Sequence, residues 1–141
     1  MNRLGVMLIA CAALGSAAED SAVIVNSGST NRPGFRIVVL RTGAAEYTET
    51  GRRPDREPAK PQRRSLPPAL VKRFYADLDS AKPLPALPPQ RCAKSASFGS
   101  RLTVQLGDEE TPDLSCPSPR DGRVKALARD VNGIVKTFRP R

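Results

Sequence analysis

Two cysteines bound the stretch CAKSASFGSRLTVQLGDEETPDLSC at 92–116, and between them lie residue types from which a small active site could be built: Lys94, Ser95, Ser97 and Ser100. A serine nucleophile needs a positioned base and an oxyanion site. The chain contains no histidine, which removes histidine-based triads, histidine general bases and histidine metal ligands at once. A pairing of Lys94 with Ser95 or Ser97 remains, but the SxxK spacing is absent and adjacent residues on an extended segment point to opposite sides. We therefore expect no enzyme and no catalytic residue, with a Ser/Lys hydrolase as the alternative.

The same stretch carries Asp108, Glu109, Glu110 and Asp113. Clustered carboxylates can hold a hard cation, yet the DxDxDG spacing of a calcium loop is missing, so they read as a solvated turn. No metal and no other cofactor is expected. Cys92 and Cys116 stand 24 positions apart rather than as CxxC, and two cysteines without histidine cannot supply the four ligands of a structural zinc.

How those cysteines are read depends on the compartment. The first residues, MNRLGVMLIACAALGSAAED, have a basic start at Arg3, an apolar run over 4–14, and small residues at Ser16 and Ala18. This is the layout of a secretory signal peptide over 1–18 with Glu19 as the mature N-terminus. The run is short of the roughly 20 residues of a membrane span. In a second reading, Leu8 to Cys11 form a lipobox and Cys11 becomes a lipidated N-terminus. Export, periplasmic or secreted, makes Cys92 and Cys116 the remaining pair in an oxidising compartment, and a disulfide between them is expected.

The elements that would position this segment follow from periodicity. Residues 22–26, 35–40 and 45–50 read as strands, the last two joined by a turn at Thr42 and Gly43. Phe35, Ile37 and Val39 share one face of the second strand and Arg36, Val38 and Leu40 the other, so both faces carry apolar surface. In SLPPALVKRFYADLDSA, at 65–81, Ser65 is a candidate cap, and the prolines sit in the first turn. Leu70, Val71, Phe74, Leu78 and Ala81 then form the stripe of an amphipathic helix. Arg73 and Asp77 fall one turn apart on its outer side.

The proline-rich KPLPALPPQ at 82–90 cannot continue that helix, and its Leu84 and Leu87 are expected to tuck against the core. Leu102, Val104 and Leu106 alternate into a strand, GDEE turns, and 111–116 returns as a second strand. Phe98 joins this hairpin's expected core. A final helix opens with Ser118 as N-cap, Pro119 as first residue and Asp121 as reciprocal partner. It buries Val124, Leu127, Ala128, Val131, Ile134, Val135 and Phe138. The fold class is therefore α+β: a single antiparallel sheet of about four to five strands packed against two amphipathic helices, with one disulfide. Residues 19–141 form one exported domain of the 141-residue chain.

Charge adds a further candidate surface. Lys and Arg number 23 against 14 acidic residues, a formal charge of +9. Six of these basic residues, Arg52, Arg53, Arg56, Lys60, Arg63 and Arg64, crowd the Pro/Arg-rich stretch 51–65, which reads as a solvated loop. They are the alternative binding site, for anionic lipid or another polyanion on a membrane surface. Six Phe and Tyr residues and no Trp make base-stacking platforms a poor expectation, so no nucleic acid is expected.

The run GFRIVV, AEYT, LPPALVKRFYADL, CAKSASFGSRLTV, PDLSC and a terminal amphipathic helix resembles small exported bacterial proteins of unknown function. The resemblance implies export and this architecture, and it transfers no site. Sequence alone thus leads to a non-enzymatic binding or structural protein of the cell envelope, its partner an unknown protein or envelope component.

Overall fold

The structure, a computed structural model, describes residues 20–51, 57 and 59–139. The expected leader over 1–18, Cys11, and Arg52, Arg53 and Arg56 lie outside the described residues. Strands β1 (Ser21–Asn26), β2 (Gly34–Leu40), β3 (Ala44–Thr50) and β4 (Gln62–Ser65) precede helix α1 (Pro68–Ala81). A one-turn 3-10 segment at Leu84–Ala86, strands β5 (Leu102–Leu106) and β6 (Glu109–Glu110), and helix α2 (Gly122–Phe138) complete the order. The strands form one six-stranded sheet in the order β4-β3-β2-β1-β5-β6, antiparallel throughout.

Period-two alternation sends one set of side chains to the helices. Ala22 and Ile24, Phe35, Ile37 and Val39, Ala45, and Leu102, Val104 and Leu106 are buried against Val71, Phe74, Leu78, Leu127, Val131 and Ile134. Leu84 and Leu87 close this core as expected. Gly43 makes the β2–β3 turn at φ 95°, a backbone that side chains with a Cβ rarely adopt, and its N–H donates to Leu40 C=O at 2.9 Å.

Several expectations need correction. The sixth strand arises inside the stretch expected as a loop: Gln62–Ser65 pairs with Ala44–Tyr47, because Arg63 and Arg64 can lie on an exposed edge that only β3 needs to satisfy. Ser65 is therefore strand rather than helix cap. Helix α1 starts three residues on, with Pro67 at the N-cap position and no side-chain cap; proline at the first helical turn loses no bond. Helix α2 likewise starts later than Ser118, which sits at φ 53°. Its N-cap is Asp121, whose carboxylate accepts from the N–H of Arg123 at 2.8 Å and of Val124 at 3.2 Å.

No strand forms over 111–116 as expected; the return strand is Glu109–Glu110, inside the GDEE stretch expected as a turn. Pro112 has no N–H to give the ladder, and side chains replace carbonyls as acceptors. Thr111 Oγ1 accepts from Val104 N–H at 3.0 Å and Asp113 Oδ1 from Leu102 N–H at 3.0 Å. The segment still follows β5, since Thr111 N–H donates to Val104 C=O at 3.0 Å and Leu114 N–H to Leu102 C=O at 2.7 Å. Phe98 is not core: it is 58% exposed, with the Arg32 guanidinium 5.7 Å from its ring centroid. Residues 95–99 close a turn of their own, Gly99 N–H to Ser95 C=O at 2.7 Å, which stops short of β5 and leaves that ring outside.

Candidate functional site

The cysteine-bounded segment is a staple. Cys92 and Cys116 form a disulfide with their Cα atoms 5.7 Å apart. Inside it, Lys94 turns away from Ser95 and Ser97. Its Nζ reaches Ser100 C=O at 2.8 Å, Ser115 Oγ at 2.6 Å, and the Asp113 carboxylate. Asp113 Oδ1 also accepts from the N–H of Leu102 and of Ser115. Burial alone would raise this carboxyl, but the Leu102 N–H, the Lys94 ammonium and both Ser115 donors outweigh it and hold the pKa at about 2. Lysine and aspartate thus consume each other in tying the segment to β5, and among the described residues no basic side chain hydrogen-bonds Ser95 or Ser97: Ser95 Oγ accepts from Ser97 N–H at 3.2 Å.

The acidic residues do not converge on one point. Asp113 is engaged as above, while Glu109 Oε2 takes the Leu84 N–H at 3.3 Å. Among the described residues no group of three or more His, Cys, Asp or Glu side chains is placed to hold a metal.

A second charge cluster joins the helices. Asp130 on α2 is fully buried, and its Oδ1 accepts from Arg73 Nε at 2.7 Å and from Arg129 Nε at 2.9 Å. Arg129 also donates to Asp77 at 3.0 Å. The expected pairing of Arg73 with Asp77 along α1 is thus replaced by pairing between helices, since the buried carboxylate offers Arg73 the less screened partner. Burial and the proximity of Asp130 raise the Asp77 carboxyl, whereas Asp130 itself is lowered because bonds from Arg129 and Arg73 outweigh its desolvation. Both of these bonds fall on Oδ1, and Asp130 Oδ2 is buried without a hydrogen-bond partner among the described residues.

The sheet face turned away from the helices is partly open among the described residues, although Thr103 of β5 is buried on it. Val23 and Val25 of β1, Val38 and Leu40 of β2 and Ala44 of β3 lie there, and Leu40 is 40% exposed. Next to β4 this face forms a groove of about 510 Å3 lined by Val38, Leu40, Ala44, Glu46, Arg63 and Ser65. Of the sequence-predicted basic residues, Lys60 is exposed, and Arg63 and Arg64 lie on β4 with their side chains on opposite faces. Arg63 bonds Glu46 at 2.6 Å across the strands yet stays 83% exposed, and Arg64 lies 5.9 Å from the Phe138 ring centroid. That ring continues into a stack with Tyr47 at 5.6 Å and Phe35 at 5.4 Å, anchoring β4 to the end of α2.

Sequence reasoning missed the latch that holds α1 to this sheet. The Tyr75 hydroxyl donates to Val39 C=O at 2.6 Å and accepts from Ala22 N–H at 3.0 Å, bridging two residues paired across β1 and β2. Burial raises its pKa and keeps the phenol protonated. Its only sequence signal is a tyrosine beside the apolar stripe. No helix among the described residues is long and apolar enough to cross a membrane. No protein-family model and no curated protein matches the chain.

Proposed function

We propose that the chain is an exported domain, periplasmic or secreted, that works by binding a protein or other component of the cell envelope and not by catalysis. The observation that carries this reading is the apolar patch on the sheet face turned away from the helices: an antiparallel sheet tolerates water on one side, but among the described residues Leu40 and Ala44 are exposed there and Val23, Val25 and Val38 half-buried, and grouped accessible apolar residues mark contact sites. Export is supported by the Cys92–Cys116 bond together with the leader-like start. The test is a photo-crosslinking residue placed at Val38, with Lys125 on the exposed side of α2 as control, in the cells that make the protein. Discrete adducts from 38 alone are expected; equal labelling from both positions, or none, removes the reading.

A second reading, engagement of anionic lipid or another polyanion, is favoured by the exposure of Lys60, Arg63 and Arg64. It requires binding to anionic vesicles that falls steeply with salt.

A further inference from the structure

We propose that the β4 edge accepts a short extended segment of an acidic partner protein, which adds to the six-stranded sheet as a further strand and places two consecutive acidic residues against Arg63 and Arg64. This rests on the binding reading and deepens it, adding a site on the β4 edge that borders the apolar groove.

The two edges of the sheet differ. At the far edge, the turn at 84–86 packs on β6 and sends the Leu84 N–H into Glu109, so that edge is occupied. At the near edge, no strand among the described residues pairs beyond β4, and all four β4 residues are exposed. The register fixes which groups are free. Leu66 N–H donates to Gly43 C=O at 2.9 Å, and the pairs Arg64–Ala45 and Gln62–Tyr47 continue that phase. Antiparallel alternation then turns the N–H and C=O of Arg63 and Ser65 outward. Pro61 and Pro67 bracket these positions and limit the added strand to about four or five residues.

Charge selects the occupant. A second copy pairing antiparallel through β4 would set arginine against arginine, and like charges directly opposite are destabilising. Charged edge residues guard against self-pairing in this way, and the same charge admits a strand of opposite sign. Because Arg63 and Arg64 emerge on opposite faces, their cross-strand partners must be successive residues, since side chains alternate in the partner too. Main-chain bonds supply the affinity and the acidic pair the selectivity, as in other strand additions. A diffuse polyanion needs neither the outward amides nor this face alternation.

The test uses a blocked hexapeptide with two central glutamates flanked by valine and threonine, titrated into the isotopically labelled full domain. Saturable shifts and slowed amide exchange at Arg63 and Ser65 are expected. N-methylation of alternate peptide residues should abolish binding in one register and leave it intact in the other. Arg63→Glu with Arg64→Glu should weaken this peptide at least tenfold and let the dilysine analogue bind in its place. Equal binding by both N-methylated registers, or binding to phosphatidylglycerol vesicles or heparin with none to the peptide, would overturn strand addition in favour of a polyanion surface. Absence of all binding would overturn it too, while crosslinks from Val38 would still stand for the sheet face.

Discussion

At the scale of single residues, two aspartates pull the acid response in opposite directions. Asp113 has its carboxyl lowered to about 2 from an ordinary 3.8, so its contribution is complete above the unfolded value near 4 and is lost as pH falls toward 2. That shift corresponds to roughly 2 kcal/mol. Asp77 is raised, so what it contributes is present below its unfolded pKa and lost as pH rises through the folded one. Asp113 has the larger and better-bonded shift, and it should decide the outcome: the urea midpoint should drop between about pH 4 and pH 2, and Asp113→Asn should flatten that drop. An unchanged profile in the variant would place acid sensitivity elsewhere. Asp130 supports a second prediction, resting on an asymmetry of desolvation. Arg73 and Arg129 have side chains 49% and 57% exposed, whereas Asp130 is fully buried. Removing the aspartate leaves cations that water can reclaim, and Asp130→Asn should cost only about 1 kcal/mol. Replacing both arginines by methionine strands a buried anion and should cost about 3 kcal/mol or more. Denaturant unfolding of the two variants measures the order, and a reversed order would mean that the pairing does not compensate that burial.

At the scale of elements, the disulfide compensates for an irregular return strand. Past Glu110 the ladder relies on the Thr111 hydroxyl and the Asp113 carboxylate, because Pro112 donates nothing. The loop closed by Cys92 and Cys116 spans 24 positions, which in the chain-entropy model removes roughly 3 to 4 kcal/mol from the denatured state. The Cys92→Ser, Cys116→Ser double variant should therefore unfold about 3 kcal/mol more easily, while the oxidised parent should weigh two hydrogens less than its reduced form. Free thiols in protein recovered from its own compartment would contradict the bond. This element also marks where the sequence is legible. Leu102, Val104 and Leu106 announce β5 by strict alternation, and the α2 stripe recurs at helical spacing. Both signals come from burial on one face. β4 has no such signal, for QRRS is wholly exposed and becomes a strand only through its pairing with β3. Ser65 and Ser118 do not cap α1 and α2 for a related reason: they have the right chemistry, but Pro67 and Asp121 hold the right backbone. Lys94 and Asp113 were both visible as chemistry, and only the fold could show that they neutralise one another.

At the scale of the whole molecule, the layers are unequal: one sheet face is sealed by two helices and latched by Tyr75, and the other, among the described residues, leaves Leu40 and Ala44 exposed and Val23, Val25 and Val38 half-buried. The latch and the sealed face account for stability, since Ile24, Ile37, Val104, Leu127 and Ile134 are fully buried. Truncating any of these isoleucines or Leu127 to alanine would cost about 2 to 5 kcal/mol. Val38 and Leu40 occupy the same strand as Ile37 and Val39 but point the other way, and folding does not require them to be apolar. This yields a prediction that separates stability from function. Val38→Thr with Leu40→Thr places β-branched side chains suited to a strand at both positions and opens no cavity in the core, so the unfolding free energy should move by about 0.5 kcal/mol or less. The same double variant should lose the crosslinks formed from a probe at Val23, which lies opposite Val38 on that face. Ile37→Ala should behave the opposite way, weakening the fold while leaving the outer contacts intact in whatever fraction stays folded. If Val38→Thr with Leu40→Thr instead unfolds the domain, the outer face is part of its stability, and its apolar residues need no partner to explain them.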